Sequence, residues 1–152
     1  MAYVLKGRPS GCIACEALAE GVGPRSLVLH RGKTCFVMLN RYPYNTGHLM
    51  ICPVRHVKEP AEMDDAELLE TMQLLVRCSA LLRSRMNAAG INAGLNLGAA
   101  SGGSVDHLHF HVVPRWVGDT NFMPVVGGTK TLVEMLDGTW ERLREEVATW
   151  KK

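Results

Sequence analysis

The run Asp106-His107-Leu108-His109-Phe110-His111-Val112-Val113-Pro114-Arg115 restricts the fold more than any other part of the chain. Side chains on a strand alternate between faces, so a strand over residues 105–113, ended by Pro114, puts His107, His109 and His111 on one face. Leu108, Phe110 and Val112 then take the other and need an apolar layer to cover them. With a helix on that side, the three imidazoles line an accessible surface in one row. Three histidines at strict period two, out of six in the chain, are hard to read as a solvated strand.

A helix of the right length lies upstream. Asp64 and Glu67 form a capping-box pattern, and Leu68, Met72, Leu75, Cys78 or Ser79, Leu82 and Met86 recur at helical spacing. The pattern predicts a helix over 65–88, stopped before Gly90. At about 1.5 Å per residue it would be roughly 35 Å long and cross one whole face of a small sheet. Residues 26–30 and 34–39 read as a hairpin around Arg31-Gly32-Lys33, and His48 to Cys52 as a third strand closed by Pro53. Residues 40–47 between them are turn-rich.

A short helix follows Cys15 and stops at Gly21, and residues 91–97 alternate as a further strand. Residues 131–150 read as an amphipathic helix with a break near Gly138. The chain is expected to be one α+β domain over 1–152, an antiparallel sheet of about five strands with helices on one side.

Composition narrows the function. The 152 residues, 47% hydrophobic and 21% charged, suit one globular domain without disulfide staples and exclude a disordered or collagenous chain. A net charge of +2 argues against a nucleic-acid-coating protein but permits a local anion site. Residues 1–6 show no signal-peptide core, and the apolar run 49–54 is far short of the roughly 18 residues of a membrane helix. The expectation is a cytoplasmic protein with neither a membrane nor a nucleic-acid partner.

Five cysteines divide into a Cys12-Ile-Ala-Cys15 pair and three scattered in apolar surroundings, Cys35, Cys52 and Cys78. In a reducing compartment the pair reads as metal-binding or redox chemistry, the others as small buried hydrophobes. The histidine run itself admits two chemistries. Several imidazoles could ligate a catalytic metal, or one could attack covalently while its neighbours support it. The glycine-rich stretch 98–104 directly before the run lets backbone N–H groups approach an anion, which favours phosphoryl chemistry, although it does not match the P-loop pattern.

The residues H-L-H-F-H-V-V-P-R resemble the His-φ-His-φ-His-φ-φ motif of the histidine triad (HIT) family, where φ is apolar. The similarity extends to L-N-R-Y-P-Y-N-T-G-H-L-M-I-C-P-V-R-H-V, to Gly94–Gly98 and to residues 114–124, the last in the manner of the microbial diadenosine tetraphosphate phosphorylases and related hydrolases. The resemblance implies a HIT-like fold with a long helix and a C-terminal helix. It also implies that His109 attacks an α-phosphorus to give a nucleotidyl-imidazole, with His111 on the bridging or leaving oxygen. Gly103 and Ser104 would hold the non-bridging oxygens and Asn96 would contact phosphate or the leaving side. Asn40 would bind ribose, the apolar residues around Leu39 and Ile51 would wall the base, and His48 would brace His109 or its loop.

The same resemblance implies a structural zinc on Cys12, Cys15, His56 and His107, with residues 1–23 as a zinc-binding segment and 130–152 as a C-terminal helical segment. Substrates would be adenine dinucleotides such as diadenosine tetraphosphate, with Mg2+ accompanying them, and the chain would form a homodimer. Phosphate is the expected acceptor. The alternatives are water as acceptor, a nucleoside phosphoramidate as substrate, or a nucleotide-binding regulatory protein.

Overall fold

The computed structural model describes residues 11–103, 105–120 and 134–150. Helix α1 (Ile13–Glu20) is followed by strands β1 (Val28–Arg31), β2 (Cys35–Leu39) and β3 (Leu49–Pro53). Helix α2 (Asp65–Met86), β4 (Gly90–Gly94), β5 (Phe110–Arg115) and α3 (Leu136–Val147) follow, with single 3-10 turns at Pro60–Glu62 and Ala99–Ser101. The strands form one antiparallel sheet in the order β1-β2-β3-β5-β4. The expected α+β class with five strands, a long helix and a C-terminal helix holds.

The expected α2 starts at its capping box: Asp64 accepts from the Glu67 N–H while the Glu67 side chain accepts from the Asp64 N–H. It ends two residues early, at Asn87, which takes the left-handed conformation (φ 52°, ψ 38°) that closes a helix. The buried stripe differs from the expected one. Leu74, Cys78, Leu81, Leu82 and Met86 pack on the sheet, whereas Leu68 and Met72 face outward, with Leu69 and Val76 also exposed. Two polar residues, Glu67 and Thr71, hold the inward positions at the N-terminal end. They are tolerated because each is satisfied: Glu67 by Arg55 and Thr71 by the Cys35 thiol.

Strand alternation divides the core. Cys35, Val37, Leu39, Leu49, Ile51 and Val112 face α2 and α3, whose Trp140, Leu143 and Val147 close the layer. Val28, Phe36, Met38 and Cys52 face the opposite way and are covered by Ala14 and Ala17 of α1. Helices therefore lie on both faces, not one, because α1, which starts at Ile13 and takes in Cys15 where a start after Cys15 was expected, folds back over the β1–β3 end. Each fully buried aliphatic side chain contributes about 1.5–3 kcal/mol. Cys35, Cys52 and Cys78 are inaccessible, as expected of small apolar residues, and all five thiols are unpaired.

Three further boundaries move. The strand expected at 105–113 begins only at Phe110 and runs through Pro114, which sits opposite Ile91 of the edge strand β4; on its other side the pairing with β3 ends at Val112, so no ladder partner asks for its missing N–H. β4 stops at Gly94 rather than at residue 97. α3 passes through Gly138 without a break, since one glycine costs a helix only about 1 kcal/mol and packing by Trp140 and Leu143 outweighs it. The part of the expected helix at 131–133 lies outside the described residues.

Candidate active site and metal cluster

His111 stands on β5 in register with Met50 of β3 and Gly94 of β4, on the face opposite Val112 and α2. His109 and His107 precede the strand. The three rings do not line an open row: His107 is 1% and His111 7% exposed. The reason is that each ring has a different partner, and those partners cover it.

His48, at the entry to β3, is fully buried, and its Nε2 lies 2.9 Å from His111 Nδ1. It therefore braces His111, not His109 as the sequence suggested. The backbone N–H of Tyr44 donates to His48 Nδ1 at 3.0 Å. A nitrogen that accepts an N–H carries no hydrogen of its own, so His48 bears its hydrogen on Nε2 and donates it to His111 Nδ1. His111 in turn keeps its hydrogen on Nε2. Burial pushes the His111 pKa down to about 4, with the His109 charge adding to it, so the ring is neutral near pH 7.

His109 is fixed differently. Its Nδ1 lies 2.7 Å from the His107 carbonyl oxygen, which can only accept, so the hydrogen is on Nδ1 and the Nε2 lone pair is free. The His109 and His111 rings stand 4.7 Å apart, edge to face. One backbone N–H and one carbonyl thus set a nucleophilic nitrogen beside a hydrogen-bond donor.

The loop that carries His48 is held in place by several contacts. Gly47 has φ +80°, and a Cβ there would run into Met86 of α2. Asn45 donates to the Pro114 carbonyl and to Asp119, whose carboxylate also takes two bonds from Arg115 and one from the Trp116 N–H. Arg115 keeps the Asp119 carboxyl well below the usual range, so this anchor is permanently charged. Asn45, Asp119 and Tyr44 were not singled out from sequence. They lie within stretches read as similar to the family, but no periodicity marks them.

Asn40 accepts from the Tyr42 N–H and its amide reaches within 3.4 Å of His48 Nδ1, so it sits at the base of the same loop. Leu39 and Ile51 cannot wall a nucleoside pocket: both are fully buried against α2, because alternation turns them away from the histidines. The side-chain amide of Asn96 touches both the Tyr44 hydroxyl and His111 Nε2, at 3.0 and 3.2 Å. Gly103 donates its N–H to the Gly98 carbonyl, and a side chain there would strike the Gly98 and Asn96 carbonyls, so its glycine serves close backbone packing. Ser104 lies outside the described residues.

The fourth histidine role is separate. Ligand atoms of Cys12, Cys15, His56 and His107 lie within 4.8 Å of one another, the one such group among the described residues. His107 Nδ1 is 3.2 and 3.5 Å from the two sulfurs, and His56 Nδ1 is 3.4 Å from Cys15 Sγ. A tetrahedral ion with ordinary zinc bond lengths needs a sulfur–nitrogen edge of about 3.6 Å. His107 Nε2 donates to the Pro53 carbonyl at 2.9 Å, which leaves Nδ1 as a lone pair aimed at the sulfurs, the usual orientation of a ligating imidazole. Burial outweighs that carbonyl and lowers the His107 pKa, while burial and Cys12 push the Cys15 thiol up to about 11. A divalent cation between them reverses the second effect, since it stabilises thiolates. Two sulfurs and two imidazoles that complete a four-coordinate shell fit a structural ion and leave no open position for catalysis.

Residues 23–117 match the HIT domain family. A Mycobacterium tuberculosis protein named AP-4-A phosphorylase is 44% identical over 123 residues, 80% of this chain. The chain spans 63% of that relative's own length. A HIT-like protein of Mycoplasma pneumoniae is 33% identical over 91% of this chain and 93% of its own. Among solved structures, a zinc-bound histidine triad family protein from Mycobacterium smegmatis superposes with a TM-score of 0.73 over 91% of this chain and 94% of that one, at 21% identity. With the triad set at the start of β5, and the family match over residues 23–117 beside it, the chain belongs to the HIT family.

Proposed function

We propose that the chain is an enzyme that cleaves dinucleoside polyphosphates, diadenosine tetraphosphate first among them, by nucleotidyl transfer through His109 to inorganic phosphate. The observation that carries this reading is the pair of fixed tautomers: a free Nε2 lone pair on His109 beside an Nε2–H on His111. The 44% identity to the protein named AP-4-A phosphorylase supports the substrate class.

In the first displacement, the His109 Nε2 lone pair forms a P–N bond to the α-phosphorus while the bond to the bridging oxygen breaks and ATP departs. The imidazole gains positive charge, which the His107 carbonyl stabilises through Nδ1–H. His111 donates a hydrogen bond to the departing oxygen. Full protonation is unnecessary, since a polyphosphate leaves as a stable anion. In the second displacement a phosphate oxygen forms the new P–O bond, the P–N electrons return to His109, and ADP is released. Splitting one displacement into two in this way is the gain of covalent catalysis.

Phosphate suits this site better than water. A phosphate dianion brings a free lone pair, whereas water must lose a proton, and His111 Nε2 already carries one. Zinc on Cys12, Cys15, His56 and His107 would act structurally, fastening the start of α1 to the residues that follow β3 and precede β5. The exposed Leu68, Leu69, Met72 and Val76 of α2 are the surface we assign to a homodimer, readable as a doubled mass in sedimentation equilibrium. Five unpaired thiols accord with a reducing, cytoplasmic setting.

The test is product identification from diadenosine tetraphosphate with and without phosphate. Phosphorolysis yields ADP and ATP. Asymmetric hydrolysis yields AMP and ATP, and turnover to AMP that phosphate does not alter would overturn the choice of acceptor.

A further inference from the structure

Tyr44 stands against His48 and His111. Its ring is tilted over His48 and His111 at centroid distances of 4.6 and 5.3 Å, and the residue is 46% exposed. Its hydroxyl lies 3.0 Å from the Asn96 side-chain amide, and His111 Nε2 lies 3.2 Å from the same amide nitrogen position. The Asn96 amide nitrogen donates to the Tyr44 hydroxyl oxygen, which leaves the hydroxyl's own hydrogen for another acceptor. Tyr44 O–H and His111 Nε2–H are thus two donors at one end of the site, and an anionic oxygen set there accepts from both.

Transfer through an imidazole consists of two in-line displacements, so the entering group stands where the departing group stood, opposite His109. The donors beside His111 consequently face the acceptor as well as the leaving oxygen. We propose that the Tyr44 hydroxyl, with His111 Nε2–H, binds the oxyanion acceptor, inorganic phosphate, and thereby sets how the nucleotidyl-enzyme divides between phosphate and water. The proposal rests on the nucleotidyl-transfer reading of His109. In the step concerned, a phosphate oxygen lone pair makes the P–O bond to the α-phosphorus, the P–N pair returns to His109 Nε2, and no proton need move. Water at the same point is neutral and gains less from a hydroxyl donor, so loss of that donor penalises phosphate selectively.

Tyr44→Phe keeps the ring on His48 and His111 and deletes only the hydroxyl. Wild type and variant are given diadenosine tetraphosphate with graded inorganic phosphate, and ADP and AMP are quantified. The ADP-to-AMP ratio at fixed phosphate is expected to fall about ten- to hundredfold, the loss of one hydrogen bond to a charged group. Where wild type makes too little AMP for a ratio, the KM for phosphate is expected to rise by a similar factor. The ratio does not depend on how much protein is folded, because both products come from one intermediate.

An unchanged ratio and KM in Tyr44→Phe overturn the assignment of Tyr44 alone. A variant that makes neither product also overturns it, since the hydroxyl would then be needed to form the intermediate. A wild type whose products ignore phosphate overturns the acceptor reading itself, and the proposal with it.

Discussion

His48→Phe and His48→Gln separate the tautomer argument from simple packing. His48 is fully buried and makes two bonds along one line, accepting from the Tyr44 N–H at 3.0 Å and donating to His111 Nδ1 at 2.9 Å. Glutamine can repeat both, with its amide oxygen toward Tyr44 and its NH2 toward His111. Phenylalanine fills the volume and repeats neither. It leaves the Tyr44 N–H, which water can reach, and the buried His111 Nδ1, which it cannot. An unsatisfied buried acceptor costs about 1–3 kcal/mol, so that is the expected loss of stability for His48→Phe in urea unfolding.

The effect on rate has two bounds. Scrambling the His111 tautomer alone costs about twofold, while losing its donor outright costs about 100- to 1000-fold. A ring freed at Nδ1 also loses its orientation, so kcat for His48→Phe should fall about 10- to 100-fold, with His48→Gln within about threefold of wild type. Turnover of diadenosine tetraphosphate measures this, and nitrogen-15 shifts of the imidazoles report where the hydrogens sit. Equal activity in the two variants, or a His111 hydrogen on Nδ1 in wild type, would refute the reasoning.

His109→Ala should abolish turnover while adenine nucleotides still bind, as followed by calorimetry, because only the free Nε2 is lost. Protein purified without added metal should carry about one zinc per chain, and Cys15→Ser should bring this below about half. A chelator should lower the melting temperature of wild type and, through unfolding, its activity. Glu67→Gln should destabilise the chain only where the carboxylate is charged. Its pKa is held below the ordinary value, about 4.3, chiefly by the Arg55 hydrogen bonds. The stabilisation is therefore complete above that value and lost as pH falls through the lower, folded one, so wild type and variant should converge in acid in urea titrations.

The contrast between Leu108–Val112 and His48–His111 shows what a sequence can and cannot disclose. Alternation in the triad run, the capping box of α2 and the turn before His48 are local patterns, and local patterns predicted the sheet and the long helix, whereas His48, Asn40 and Asn96 were named only through the family resemblance. They failed where a tertiary partner decided the outcome. The helix after Cys15 folded onto the second face of the sheet because Phe36, Met38 and Cys52 needed cover there. Leu68 and Met72 turned outward because Glu67 and Thr71 found partners inside.

The failure on His48 is the instructive one. The resemblance implies a brace for His109 or its loop, whereas the folded chain sets His48 against His111, since nothing in residue order says which ring a buried imidazole will touch. Nor does it say that a backbone N–H four residues earlier will orient it. Yet that N–H determines which nitrogen of His111 bears a hydrogen, and a row of three identical residues takes three different hydrogen-bonding states only through such neighbours. The Pro53 carbonyl leaves His107 Nδ1 toward the sulfurs, the His107 carbonyl leaves His109 its Nε2 lone pair, and His48 orients His111. The chemistry of the triad is written in backbone groups, and these become visible only once the chain is folded.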